Sequence, residues 1–162
     1  MGHKVHPKIY RIPTIYSWDS KWFAKNKTMP TYLRQEISIQ EFLGKKLKES
    51  LLDGISIERT SKDLTVNILS AKPGTIIGRG GQGLEDLRKF IERKILQQKL
   101  KVKLNVMEVR QPALSAQIVA QNAAADIEKR LPFRRVMKQL IERVMSAGAQ
   151  GVKVRMSGRL NG

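Results

Sequence analysis

Two hydrophobic periods alternate along the chain, and the places where one replaces the other mark its elements. Ile39, Leu43, Leu47 and Leu51 recur every four residues, with Phe42 widening the stripe. Ser38 and Glu41 give the S-x-x-E spacing of a helix start, and Asp53-Gly54 ends the run. The period then falls to two: Ile55, Ile57 and Arg59 alternate with Ser56, Glu58 and Thr60. Ser61-Lys62-Asp63 reads as a turn, and Leu64, Val66 and Ile68 alternate again, which predicts a hairpin ended by Pro73-Gly74. A short Thr75-Ile76-Ile77 piece leads to Gly78-Arg79-Gly80-Gly81, followed by a helix with Leu84, Leu87, Phe90, Ile91 and Ile95 on one face. Glu85 and Asp86 in its first turn suit the positive end of the helix dipole. From Lys101 to Val109, Val102, Leu104 and Val106 take one side and Lys101 and Lys103 the other, a strand with a cationic face. Pro112 and Pro132 open two further helices, running to about Arg130 and about Ala147, with Gly148 as a natural stop. Val152, Val154 and Met156 alternate with Lys153 and Arg155, a predicted strand that needs a partner beyond its own unit. The first thirty residues hold no period, contain Pro7, Pro13 and Pro30, and read as an extended arm. The sum is an α+β chain in three parts: an arm over 1–30, a unit over 31–112 with a three-stranded mixed sheet packed by helices, and a partial α/β unit over 113–162.

Charge changes this picture most. The chain has 31 Lys and Arg against 14 Asp and Glu, a formal net charge of +17. The three parts carry excesses of +5, +6 and +6, so the cations are not confined to a tail. An excess in every segment points to a polyanion touched on several sides, because each cation that neutralises a phosphate releases a counterion. No apolar run approaches the ~20 residues of a membrane span, and the start, with His3, Lys4, His6 and Lys8, is not a signal peptide. The expectation is a cytosolic protein with no membrane partner. Without cysteine there is no disulfide, thiolate zinc site or Cys nucleophile.

Gly78, Gly80, Gly81 and Gly83 lie within six residues, where a backbone can approach a ligand closely. No Gly-Lys-Ser/Thr ends the cluster, so a P-loop is excluded. Gly78, Gly80 and Gly83 fit G-x-G-x-x-G, but Pro73 to Ile77 separate them from the strand, and the acid near the end of the next strand, Glu108, sits in a cationic stretch. Ile76-Ile77-Gly78-Arg79-Gly80-Gly81 instead resembles the I-I-G-x-x-G of the KH module, and the order of elements resembles its type II arrangement. The resemblance implies that Gly78, Arg79, Gly80 and Gly81 lie against a sugar-phosphate chain, with Arg79 supplying charge.

The resemblance extends over the chain. Gly2-His3-Lys4-Val5-His6-Pro7, Arg11 and Trp18-Asp19-Ser20-Lys21-Trp22-Phe23-Ala24 are similar to the N-terminal signature of the bacterial small-subunit ribosomal protein S-three family. Phe133-Arg134-Arg135 with Lys138, and Val154 to Gly162, resemble its second domain. This implies a structural, non-enzymatic constituent of the cytoplasmic ribosome, bound to small-subunit ribosomal RNA in the subunit head beside proteins ten and fourteen. It also implies that Arg134, Arg135 and Lys138 line the entrance through which messenger RNA is drawn and help to unwind it. Lys4, Lys8, Arg11, Lys72, Arg155 and Arg159 are further candidate RNA contacts. Pro13 stands where that family carries glycine, and family members continue beyond Asn161-Gly162 with a helix and strands. The rival readings are a free-standing KH regulator of messenger or small RNA and, more distantly, a nucleotide-binding enzyme.

The remaining chemistry is thin. His3 and His6 lack a neighbouring carboxylate and make a poor metal pair, so neither metal, cofactor nor small-molecule substrate is expected. Trp18, Trp22 and Phe23 suit either base stacking or packing of the arm onto a folded unit. Glu92 near Arg88 and Glu41 near Lys45 have the spacing of helix-surface ion pairs.

Overall fold

The computed structural model describes residues 2–12, 14–97 and 100–159. Pro13 and the Leu160-Asn161-Gly162 end of the second-domain motif lie outside the described residues. The arm contains a short helix α1 (Pro7–Tyr10) and a two-residue strand β1 (Ser20–Lys21). Then come α2 (Met29–Lys46), β2 (Leu52–Arg59), β3 (Asp63–Ser70), α3 (Pro73–Ile77), α4 (Gln82–Phe90), β4 (Lys101–Glu108), α5 (Ala116–Glu128) and α6 (Phe133–Ser146). The sheet order is β1-β2-β3-β4: β2 and β3 form the expected antiparallel hairpin, and β3 pairs with β4 in parallel. A parallel pair needs a crossover, which α3, α4 and the π-helical turn Ile91–Ile95 supply.

Period-two residues of the strands and period-four residues of the helices meet in one core. Ile57, Leu64, Val66, Ile68 and Val102 of the sheet close against Ile39, Leu43, Ile76, Leu87 and Ile91 of the helices. Phe42 stacks on Phe90 with ring centroids 4.0 Å apart, joining α2 to the far end of α4. A smaller core of Ala123, Val136 and Leu140, with Val119 and Met156 against it, joins α5 to α6.

Four expectations are corrected. The sheet has four strands, because the arm is not simply extended: β1 pairs in parallel with β2 at Ser20↔Ile57 and Lys21↔Glu58. Helix α2 begins at Met29, with Pro30 in its first turn, where its fixed φ suits a helix, so Ser38 and Glu41 are interior residues and not a cap. Leu51 leaves the helical stripe. After Lys46 the chain makes a 3-10 turn, Lys48–Ser50, and Leu51 turns left-handed at φ 53°, which reverses the chain to set Leu52 opposite Ser70. Residues 152–156 form no strand. They alternate between half-buried Val152, Val154, Met156 and exposed Lys153, Arg155, yet no neighbouring strand among the described residues accepts their backbone hydrogen bonds. No helix among the described residues is long and apolar enough to cross a membrane.

Candidate RNA-binding surface

The glycine cluster folds into a tight turn between α3 and α4. Gly78, Gly80 and Gly81 take φ values of 71°, 60° and 81°, a left-handed region in which a Cβ is strained. Gly78, Arg79 and Gly80 are exposed, and Arg79 makes no ion pair among the described residues. Gly83 serves a different purpose: a Cβ there lies 2.6 Å from the Ile76 carbonyl oxygen, so the missing side chain lets α4 pack directly on the end of α3. The loop is thus a backbone ledge held by a helix–helix contact, with a guanidinium on its rim. Behind it, Ser50, Ser70 and Thr75 form a polar anchor. Thr75 Oγ1 lies 2.9 Å from Ser50 Oγ and 2.7 Å from the Lys72 carbonyl oxygen, and the Lys72 amide donates to Ser70 Oγ at 3.0 Å. This fixes the backbone of Lys72 at the start of α3 and leaves its side chain exposed.

On α6, Val136, Leu140 and Val144 are buried, while Ile141 is 40% exposed. Arg134, Arg135 and Lys138 stand together on the solvent side, all exposed. The Arg134 guanidinium lies 5.7 Å from the Phe133 ring centroid, and none of the three cations has an acidic partner among the described residues. Lys4, Arg11, Arg155 and Arg159 are exposed as well, whereas Lys8 is turned to Asp19 at 2.7 Å. The structure therefore gathers two groups, the glycine loop with Arg79 and the α6 face, sets Lys72 at the opposite end of α3 from the loop, and leaves the other candidates dispersed.

Comparison with known proteins extends the pattern. The KH domain family matches residues 38–114, and the family described as Ribosomal protein S3, C-terminal domain, matches residues 123–162. Small ribosomal subunit protein uS3 of Endomicrobium trichonymphae is 46% identical over 162 residues, covering the whole of this chain and 68% of the relative. Its counterparts in Caldicellulosiruptor saccharolyticus and Chromobacterium violaceum are 46% and 41% identical, again over the whole chain, which covers 72% and 68% of their lengths.

The chain belongs to the small ribosomal subunit protein uS3 family. This is a structural, non-enzymatic family of the small subunit of the cytoplasmic ribosome, with RNA binding vested in a KH domain.

Within this uS3 chain one cluster escaped the sequence reading. Glu36 on α2 is buried and accepts hydrogen bonds from the Ser20 hydroxyl and the Trp22 indole N–H, with Gln40 Nε2 at 3.3 Å. Trp22 meets Tyr32 edge-on at 6.0 Å. On Tyr32 lies the Arg59 guanidinium, 3.4 Å from the ring centroid and donating to Gln35 Oε1 at 2.8 Å. This latch resolves the open question about the arm aromatics: Trp22 packs, while Trp18 and Phe23 remain 62% and 89% exposed. Its signal was a carboxylate at position 36, three residues before Ile39 on the apolar stripe, where an apolar residue belongs.

Burial also pulls the Arg59 guanidinium below its ordinary value, against the opposing pull of Tyr32 and Glu36. At Glu92, burial would raise the carboxyl. Hydrogen bonds from the Val102 amide (3.1 Å) and Arg88 Nε (3.0 Å), with the charges of Arg88 and Arg93, outweigh it and hold the carboxyl below its ordinary value.

Proposed function

We propose that this uS3 chain is held on small-subunit ribosomal RNA in the subunit head. In that reading residues 1–30 form a basic arm, 31–112 a type II KH domain and 113–162 the second domain. Gly78, Arg79, Gly80 and Gly81 lie against the sugar-phosphate chain, and Lys72, at the other end of α3, adds a further contact. Arg134, Arg135 and Lys138 face messenger RNA at its entrance and grip it while base-paired segments are pulled apart. Proteins ten and fourteen of the subunit are its neighbours. Lys4, Lys8, Arg11, Arg155 and Arg159 add peripheral phosphate contacts.

One observation carries the messenger role. Three cations without acidic partners among the described residues share one solvent face of a helix whose opposite face, through Val136, Leu140 and Val144, is fixed in a core. A fixed cationic face holds phosphates in place without a nucleotide site, and translocation supplies the work. The test replaces Arg134, Arg135 and Lys138 together by alanine in reconstituted ribosomes. Translation through a structured message slows while an unstructured message is read at the ordinary rate. Equal slowing of both messages removes the entrance role.

A further inference from the structure

A cleft of about 420 Å³ opens where α2, the start of β2 and α5 meet, away from both cationic groups in sequence. Gln40, Gly44 and Lys48 line it at four-residue spacing from α2 and the turn after it. Gln117 and Gln121 line it from α5, and Leu52, Asp53, Gly54 and Ile55 from β2. Two of these residues are glycines inside regular elements. Gly44 lies in the third-last position of an 18-residue helix and Gly54 inside a strand, places where glycine weakens either element. Neither has a left-handed backbone, and a Cβ at either meets nothing within 4 Å. Gly54 sits where β2 slips register against β3, between Leu52 and Gly54, a bulge that suits glycine, whereas nothing in the backbone or the packing calls for glycine at Gly44. What they share is the cleft, which both keep open.

The polar groups indicate what it receives. Lys48 is paired with Glu128 at 3.5 Å, and Asp19, also on the lining, with Lys8 at 2.7 Å. Asp53 accepts the Ser115 hydroxyl on one oxygen and has no cation among the described residues. Gln121 is oriented by its Nε2, which donates to the Leu52 carbonyl at 2.8 Å, and this leaves its Oε1 buried without a partner among the described residues. A free carboxylate and an unsatisfied amide oxygen both ask for donors, and Leu47, Leu52 and Ile55 offer apolar wall to an alkyl stem. RNA brings phosphate, which the Asp53 carboxylate, without a cation among the described residues, repels. A guanidinium brings several donors in one plane, a positive charge and an apolar stem.

We propose that this cleft seats an arginine side chain from a neighbouring protein of the small subunit. The inference rests on the assembly described under Proposed function. The cationic faces of the chain take RNA, and the cleft between α2 and α5 takes protein.

The experiment reconstitutes small subunits with the full chain carrying a benzophenone amino acid at position 117, on the rim of the cleft. Irradiation is expected to give a protein adduct on an arginine-bearing peptide. Gly44→Leu fills the cleft and is expected to cut the adduct at least tenfold while the isolated chain melts no lower than the parent. Asp53→Asn keeps the acceptor for Ser115, removes the charge, and is expected to weaken the adduct. An adduct to RNA overturns the proposal in favour of a nucleotide pocket. An undiminished adduct in Gly44→Leu, or none in particles that contain the chain, overturns it while leaving the RNA-binding reading intact. Failure of the unsubstituted chain to enter particles overturns both.

Discussion

The glycine loop permits a perturbation whose structural and electrostatic parts separate. Arg79→Asp with Gly80→Asp takes the loop from one positive charge to two negative ones. Arg79 is exposed and without an ion pair among the described residues, so its removal breaks no internal contact. Gly80 sits at φ 60° with nothing within 4 Å of a built Cβ, so an aspartate there meets backbone strain of about 1 kcal/mol and no clash. For a chain of this size that lowers the melting temperature by about 2–4 °C and leaves the fold in place. A charge-assisted hydrogen bond to phosphate is worth about 1.5–3 kcal/mol, so its loss alone weakens binding roughly tenfold to 150-fold. The added carboxylates push the effect toward the upper end.

The assay is filter binding to small-subunit ribosomal RNA at several salt concentrations, with Gly80→Ala as the control that carries the strain without the charge. Each lost phosphate contact on single-stranded RNA also flattens the plot of log affinity against log salt by about 0.7. The double variant should therefore bind more weakly and respond less to salt, while Gly80→Ala binds as the parent does. A folded double variant with unchanged affinity and slope refutes the assignment of the loop to the RNA surface.

Other outcomes follow from single contacts. Gly83→Ala drives a Cβ to 2.6 Å from the Ile76 carbonyl oxygen and is expected to cost about 1–3 kcal/mol in a denaturant melt, more than Gly80→Ala. Glu36→Ala removes the acceptor of the Trp22 indole; increased quenching of tryptophan fluorescence by iodide should report release of the arm, with the melting temperature lowered. Glu92 is held below its ordinary value of 4.5, so its contribution is complete at neutral pH and is lost as pH falls through the lowered folded value. The stability gap between the parent and Glu92→Gln should be constant from pH 7 to about 5 and close on further acidification. A gap that stays open at lower pH contradicts the assignment.

Elements whose pattern is local were legible in the sequence. The hairpin of β2 and β3, the α3–loop–α4 unit, β4 and the helices α5 and α6 follow from periodicity and from glycine or proline punctuation, because each buries one face against a neighbour close in sequence or through a short crossover; the start of α5 differs, since Pro112 opens a separate 3-10 turn and Ser115 caps the helix. What escaped was set by contacts at longer range. The strand status of Ser20 and Lys21 depends on an edge of β2 some 37 residues away, and nothing in a two-residue stretch announces it. The first turns of α2 were hidden because Glu36 occupies a stripe position for the sake of Trp22 and Ser20. Residues 152–156 show the converse: the alternation is present and realised in burial, but a strand is defined by a partner, and side-chain pattern alone does not provide one.

The same distinction between local pattern and long-range partner governs how the cations divide. In the sequence Lys8 and Arg11, or Arg59 and Arg79, are equivalent members of a +17 chain. In the fold, Lys8 meets Asp19 within the arm, Lys21 meets Glu58 across to the sheet, and Arg59 of the sheet lies on Tyr32 of α2, so these charges are used inside the chain. Exposed pairs of this kind contribute little stability, up to about 1 kcal/mol each, but each also occupies a cation that phosphate would otherwise take. Arg79, Arg134, Arg135 and Lys138 have no acidic partner among the described residues, and they stand on backbones fixed by Gly83 against Ile76 and by Val136, Leu140 and Val144. The acids thus act as a selector. They are spent where the chain holds itself together, and the cations left unmatched on rigid supports are those that the proposed function assigns to RNA.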